Sequence, residues 1–216
     1  MKFEAARRSM VDSQLRPNKV TDRALLDAME SIPREEFVPE AYRAAAYVDE
    51  DVPLGNGRFL LEPMVLARLI QAASVTGSDV VLDVGCATAY GVAVLSRLAS
   101  TVVGLECDKA LAARANSVLA RLGLDNATVL EGPLEQGVPR QAPYDVIVVE
   151  GMADEVPRPL LDQLADGGRL VAVVRERGLG RAALFLRGGG GISTRILFDA
   201  AVFPLPGLQR EPGFVF

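Results

Sequence analysis

The chain has no histidine and no tryptophan among its 216 residues. Without histidine the commonest general base is missing, and every Ser-His or Cys-His nucleophile arrangement is excluded, which sets hydrolytic chemistry aside. Cysteine is scarce as well. Cys86 and Cys107 are the only two, too few to close a structural zinc site without histidine, so no metal is expected and a reducing compartment is the simpler setting. Basic residues are not in excess: Lys plus Arg is 23 against 28 Asp plus Glu, a net charge of −5, which argues against a nucleic-acid partner. No apolar run reaches the length of a membrane span, and an amino terminus with Glu4, Arg7 and Arg8 lacks the apolar core of a signal peptide. The expectation is a cytoplasmic protein with no membrane partner.

What remains is an ordinary globular composition, half apolar and 24% charged, long enough for one α/β core with an appendage. The stretch from Asp79 to Gly91 organises it. Val80, Val81, Leu82 and Val84 form an apolar run broken only by Asp83, as in a buried parallel strand, and a turn of small residues leads into Val92, Leu95 and Leu98 at helical spacing. Strand, glycine turn, helix is the opening of a nucleotide-binding βαβ unit, whose ligand lies beyond the strand's carboxyl end. The glycine fingerprint is altered: after Gly85 the positions that favour glycine hold Ala87 and Ala89. The loop survives if they take ordinary dihedrals and has to shift if they do not.

Upstream, residues 3 to 15 predict an amphipathic helix with Met10, Val11 and Leu15 inward, ended by Pro17. Thr21 is the expected cap of a second helix over residues 22 to 30, and Pro63 suits the first turn of a third over 62 to 73. Residues 33 to 61, with three prolines and Gly55-Asn56-Gly57, read as irregular chain, a ligand-facing loop or a plain connector. Downstream, strands are expected at 79–84, 101–106, 127–131, 144–150 and 169–174. Helices run from Asp108 to about Leu122 and over 157–164. Residues 182–187 and 192–203 read as an antiparallel hairpin whose tip, Gly188 to Gly191, fixes no turn type. Pro204 to Gly207 and Phe214 to Phe216 suggest a tail laid against the body or an oligomer contact, and the subunit number is left open. Cys86 reads as a turn filler, Cys107 as packed beside the second strand, and Tyr42 and Tyr47 as packing residues.

Several strand ends carry acids or glycine: Asp83 with Gly85, Glu106, Glu131 with Gly132, and Glu150. In a doubly wound sheet they meet at one edge and line one crevice. Glu106, about 20 residues beyond Gly85, stands where a carboxylate accepts from ribose hydroxyls. The damaged fingerprint and lack of basic neighbours favour a nucleoside with a zwitterionic tail over a pyrophosphate.

Over roughly residues 8 to 175 the chain resembles the protein-L-isoaspartate O-methyltransferases, which are S-adenosylmethionine-dependent. The specific landmarks are Met10-Val11 with Gln14-Leu15, Ala28-Met29, Ile32-Pro33-Arg34-Glu35-Glu36-Phe37-Val38-Pro39, Ala46-Tyr47-Val48-Asp49 and Pro53-Leu54-Gly55-Asn56-Gly57. Further on they are Val81-Leu82-Asp83-Val84-Gly85, Ala93-Val94-Leu95, Leu122-Gly123-Leu124, Pro143 to Val148 and Leu160 to Leu164 with Gly167-Gly168. The resemblance implies a doubly wound, Rossmann-like class I methyltransferase sheet with helices on both faces. Residues 1–78 would be a helical, substrate-side extension packed on the cofactor-binding domain, 79–216, which ends in the antiparallel hairpin. It implies S-adenosyl-L-methionine as cofactor and isoaspartyl residues of proteins or peptides as substrate. Asp83, Gly85, Cys86, Ala87, Thr88, Ala89 and Tyr90 would surround the methionine portion. Glu106, with Cys107, would hold the ribose, and Glu131 and Gly132 would lie near the adenine.

The departures fall in the glycine loop, altered to Cys86-Ala87-Thr88-Ala89, and on the acceptor side. Where the family usually reads Gln-Thr-Ile-Ser-x-Pro, with the serine hydroxyl toward the reacting carboxylate, this chain has Arg58-Phe59-Leu60-Leu61-Glu62-Pro63. Leu61 stands at the serine and Phe59 at the threonine. Asn56, Gly57, Arg58, Phe59 and Leu61 become the expected substrate contacts, and no catalytic residue is assigned. Carboxylate methylation needs little acid–base help, since the carboxylate is itself the nucleophile. Three readings stand open: isoaspartyl methylation with Arg58 on the carboxylate, methylation of a different and more apolar small acceptor, and a non-catalytic homologue with a scaffold role.

Overall fold

The computed structural model describes residues 3–210. Helix α1 (Phe3–Met10) runs into one π-helical turn, Val11–Leu15, and α2 (Arg23–Ser31) follows. Met10, Val11 and Leu15, then Leu25, Leu26 and Met29, are buried at the spacing the sequence predicts. The cap of α2 is Asp22, not Thr21: the Asp22 carboxylate accepts from Leu25 N at 3.1 Å. A carboxylate reaches the free first-turn N–H groups and also meets the positive end of the helix, so it outcompetes a neighbouring hydroxyl. Residues 33–61 are less irregular than their prolines predict. Two 3-10 turns, Arg34–Phe37 and Glu40–Ala45, precede a small antiparallel hairpin of β1 (Val52–Gly55) and β2 (Arg58–Leu60), and α3 (Pro63–Ala73) begins with proline at N1.

The main sheet comprises β3 (Val80–Val84), β4 (Thr101–Glu106), β5 (Ala127–Glu131), β6 (Tyr144–Ala153), β7 (Leu164–Glu176), β8 (Leu179–Gly188) and β9 (Gly191–Asp199). Their order is β5-β4-β3-β6-β7-β8-β9, with β8 and β9 antiparallel and the first five parallel. Helices α4 (Tyr90–Leu95), α5 (Lys109–Arg121) and α6 (Arg158–Asp162) form crossovers. Successive strand residues feed opposite faces. Val81, Val146 and Val148 join the apolar cluster that contains α1, α2 and α3, whereas Leu82, Val84, Ile147 and Val149 join a second cluster with Leu160 and Leu205. The chain runs outward from β3 through β4 to β5 and crosses to the other side of β3 between β5 and β6, and that switch point opens the crevice at the carboxyl ends of these strands.

Some expectations shift. The helix expected over 157–164 is confined to Arg158–Asp162, and β7 begins already at Leu164, because Gly167 at φ +77 lets the strand absorb the irregular Asp166-Gly167-Gly168 step. The glycine tip does fix a turn: Gly188 pairs with Gly191 while Gly189 and Gly190 take φ +58 and +81, the left-handed pair of a two-residue hairpin turn. Cys107 is exposed rather than packed, and Tyr42 is 41% exposed, while Tyr47 is buried and donates to Glu35. The tail does lie on the body as far as Leu208. Met152 N donates to Phe203 O and Leu205 N to Met152 O, both at 2.9 Å, so this strap extends along the end of β6. Phe214 to Phe216 lie outside the described residues. Among the described residues no helix is long and apolar enough to cross a membrane.

Candidate active site at the strand ends

The turn after β3 keeps a glycine-type path without its glycines. Gly85 has φ +75, and Ala87 and Ala89 follow it into the left-handed region at +49 and +73, both fully buried. Left-handed alanine costs about 1 kcal/mol apiece, and the surrounding contacts hold it. Ala87 N donates to Glu106 at 2.7 Å, and Gly85 N donates to Leu105 O at 2.8 Å. Cys86 is buried against β4, and burial first, then the surrounding carboxylates, pushes its thiol far above the usual range. Thr88 turns its hydroxyl to Phe37 O at 2.6 Å, and the Tyr90 ring meets Phe37 edge-on and lies under the Arg34 guanidinium, so both side chains tie the loop to the amino-terminal segment.

Three acids converge here. Glu106, fully buried at the end of β4, accepts from Ala87 N, Cys107 N and Asp108 N at 2.7, 2.9 and 3.0 Å. It also holds Arg58, whose Nε lies 3.2 Å from Oε1 and whose Nη2 lies 2.8 Å from Oε2 and 2.8 Å from Gly85 O. Burial alone would raise this carboxyl, but Arg58 and the backbone donors hold it below the usual range. Asp83, near the end of β3, and Glu150, on β6 just past its pairing with β3, are different. Both oxygens of Asp83 and Oε1 of Glu150 have no donor among the described residues. Burial, and then the neighbouring carboxylate charge, raises Asp83 well above its ordinary range, and burial pushes Glu150 up to about 7. Both carboxyls therefore keep their protons to higher pH than exposed carboxyls do.

Over these acids lies a roof of two pieces. From the β1–β2 hairpin Arg58 reaches down to Glu106, and Phe59 stacks on Phe203 of the strap at 3.6 Å between centroids. From the strap Leu205 covers Gly85 and Gly151 so closely that a Cβ on either would fall 2.8 or 2.6 Å from it. A cavity of about 10 Å³ is left, lined by Asp51, Arg58, Phe59, Leu61, Glu150, Gly151 and Phe203. Leu61 is buried, and its carbonyl accepts from Arg34 at 2.6 Å. Asn56 and Gly57 are exposed at the hairpin tip, where Asn56 donates to Asp108 at 2.8 Å. Glu131 is exposed at the end of β5 beyond the three central acids, and Gly132 N donates to the Glu106 carbonyl at 3.0 Å. Sequence reasoning placed Arg58 on the substrate side and missed its pairing with Glu106; a lone arginine in a glycine-rich stretch carries no signal for such a partner. Glu150 was legible as a strand-end acid, but its pairing with Asp83 was not.

A parallel sheet whose strand order reverses beside β3, with a glycine-type turn and an acid at the end of the next strand, is a Rossmann-like nucleotide-binding arrangement, and the family match makes it a class I S-adenosylmethionine-dependent O-methyltransferase. The model of the Protein-L-isoaspartate(D-aspartate) O-methyltransferase (PCMT) family matches residues 6–207, and the chain belongs to that family. It is 40% identical over 207 residues to the protein-L-isoaspartate O-methyltransferase of Roseiflexus castenholzii, covering 96% of this chain and 94% of that one. It is 43% identical over 168 residues to protein-L-isoaspartate O-methyltransferase 2 of an Anaeromyxobacter species, covering 78% and 69%. A solved protein-L-isoaspartate O-methyltransferase superposes with a TM-score of 0.84 at 26% identity, over 94% of this chain and 67% of that one. A Plasmodium falciparum structure described as a putative enzyme of this kind, in complex with S-adenosyl-L-homocysteine, gives 0.81 at 21% identity over 93% and 98%, a likeness of fold.

The donor set suits the cofactor's chemistry. Unpartnered carboxylate oxygens at Asp83 suit a cationic or N–H-bearing group, and Glu106 is a carboxylate acceptor on the adjacent strand. The volume is held by Arg58 and Leu205, two side chains carried on the peripheral hairpin and strap.

Proposed function

We propose that the protein methylates the misplaced carboxylate of isoaspartyl residues in damaged proteins and peptides. The observation carrying this reading is family membership over nearly the whole chain, joined to the acid layout of the crevice. Asp83 and the Gly85–Tyr90 turn would receive the methionine portion, Glu106 the ribose, and Glu131 with Gly132 the adenine side. The bound cofactor supplies an electrophilic methyl group on a sulfonium. The acceptor's carboxylate would itself be the nucleophile toward that methyl group, so no residue of this chain has to move a proton. The absence of histidine is therefore no handicap, and this chain's contribution is to orient the acceptor and exclude water.

Labelled methyl transfer to an isoaspartyl peptide, with its aspartyl isomer as control, tests the reading. Base-labile incorporation into the isoaspartyl form alone is expected; none, with cofactor binding demonstrated, rules it out. A second acceptor class draws support from the cavity lining, where Phe59, Leu61 and Phe203 sit beside Asp51 and Glu150. A neutral apolar acceptor suits those walls, and incorporation into small hydroxylated or aromatic compounds with no peptide labelling would favour it.

A further inference from the structure

Arg58 is 4% exposed, and its guanidinium spends itself on Glu106 and the Gly85 carbonyl. The two oxygens of Glu106 accept five N–H bonds: two from Arg58, and one each from Ala87, Cys107 and Asp108. A carboxylate has about four lone-pair sites, so this acid is saturated. A pair of ligand hydroxyls donating to it has to displace something. Ala87, Cys107 and Asp108 donate from the backbone; the side-chain donors are Arg58 and the Cys107 thiol, a weak donor at 3.3 Å, so Arg58 is the strong donor able to rotate away. Once displaced, Arg58 is a buried cation that has lost its partner, which is unfavourable until another anion arrives.

The same guanidinium lines the small cavity with Phe59, Leu61, Phe203, Gly151, Asp51 and Glu150. It is the only basic side chain among them. An acceptor carboxylate entering there without Arg58 would face Asp51 and Glu150 and no cation. With Arg58 turned away from Glu106 it gains a bidentate partner of the right geometry.

We propose that Arg58 is the acceptor-binding residue, and that it exchanges one carboxylate for another: Glu106 before the ribose is bound, the acceptor's carboxylate afterwards. Cofactor and acceptor then bind in order and each strengthens the other. The assignment rests on the isoaspartyl reading for the identity of the second carboxylate, and on the geometry alone for the competition at Glu106.

Calorimetry on the full chain with S-adenosylhomocysteine and a short isoaspartyl peptide tests both halves, using wild type, Arg58→Gln and Arg58→Lys, each checked for folding by circular dichroism. For the nucleoside alone, Arg58→Gln is expected to bind about tenfold tighter than wild type, because Glu106 no longer has to be vacated. In wild type, saturating peptide is expected to tighten S-adenosylhomocysteine about tenfold, and the nucleoside to tighten the peptide by the same factor. That coupling falls to about onefold in Arg58→Gln and is partly regained in Arg58→Lys. Unchanged or weaker nucleoside binding by folded Arg58→Gln overturns the exchange. If Arg58→Gln does not fold, Arg58→Lys carries the test, and coupling equal to wild type in that variant overturns the bidentate role. Peptide binding equally well to Arg58→Gln and wild type overturns the acceptor assignment while leaving the isoaspartyl reading intact. No peptide binding or methylation by wild type, with the nucleoside tightened in Arg58→Gln, overturns that reading and the acceptor assignment together, and leaves the competition at Glu106 standing.

Discussion

On one side of Gly85 the Glu106 carboxylate gathers five N–H donors; on the other, Asp83 and Glu150 face each other with none for three of their four oxygens. Both sites are buried at the same edge of the same sheet, so burial alone does not separate them. The donors do: Arg58 and three backbone N–H groups hold Glu106 below its ordinary range against burial, while burial, joined at Asp83 by the neighbouring carboxylate, raises the other pair. One half of the crevice is thus filled by the protein's own cation. The other half presents carboxylate oxygens with no donor among the described residues.

The comparison breaks most sharply at Arg58. Arg58→Ala strands Glu106 in the interior, and removal of one partner from a buried pair costs roughly 3–5 kcal/mol. Because Ala87, Cys107 and Asp108 still donate, we expect a loss near the lower end in urea unfolding at pH 7. The sign of its pH dependence follows from Glu106, whose carboxyl lies below its unfolded value. That contribution is present above the ordinary carboxylate range and disappears as pH falls through the lowered value, so wild type and variant converge in acid. A difference that persists undiminished at low pH would mean that packing by Arg58, and not its charge, is what Glu106 relies on.

Next in size is the strap. Leu205 is 1% exposed and fills the space over Gly85 and Gly151. Leu205→Ala should cost about 2 kcal/mol in thermal stability and, by uncovering the crevice, tighten binding of S-adenosylhomocysteine. Lower stability with unchanged nucleoside affinity would show that the strap lies outside the cofactor's path.

A smaller effect, with the opposite pH dependence, is expected at Glu150. Its carboxyl rises from 4.5 to about 7, so the folded state binds more protons than the unfolded chain across that window, and stability declines as pH climbs through it. Glu150→Gln removes the titration and offers Asp83 an N–H. It should leave the melting temperature at pH 5 nearly unchanged and raise stability at pH 8 by roughly 1–3 kcal/mol. Equal melting curves for the two proteins at pH 8 would show that the pair's proton is not lost in that range.

How much of this was legible in the sequence follows from the same physics. The five parallel strands and the helix start at Asp108 were readable because short apolar runs and helix starts are local signals; Asp108 caps that helix, accepting from Ala110 N and Leu111 N. Asp83 and Glu106 were readable as strand-end acids at a nucleotide-binding interval. The Arg58–Glu106 pair was not, since its members are 48 positions apart and only the hairpin's placement joins them. Tyr42 and Cys107 misled for a related reason: residue type reports average burial, whereas Tyr42 sits on the exposed 3-10 turn Glu40–Ala45 and Cys107 lies just past the end of β4.

The smallest prediction concerns the turn itself. Ala89 and Ala93 are both fully buried alanines, four residues apart, but Ala89 is left-handed at φ +73 while Ala93 lies inside α4. Glycine at either site forfeits a buried methyl group and gains freedom in the unfolded chain, a combined loss on the order of 1–2 kcal/mol. At Ala89 alone the substitution also relieves left-handed strain of about 1 kcal/mol. Ala89→Gly should therefore lie within about 1 kcal/mol of wild type, and Ala93→Gly should be less stable than it by about 1 kcal/mol in paired thermal melts. Equal losses would mean that the loop relaxes its backbone around alanine. The turn would then owe its shape to the bond between Ala87 and Glu106, which an Ala87→Pro chain, lacking that N–H, would lose.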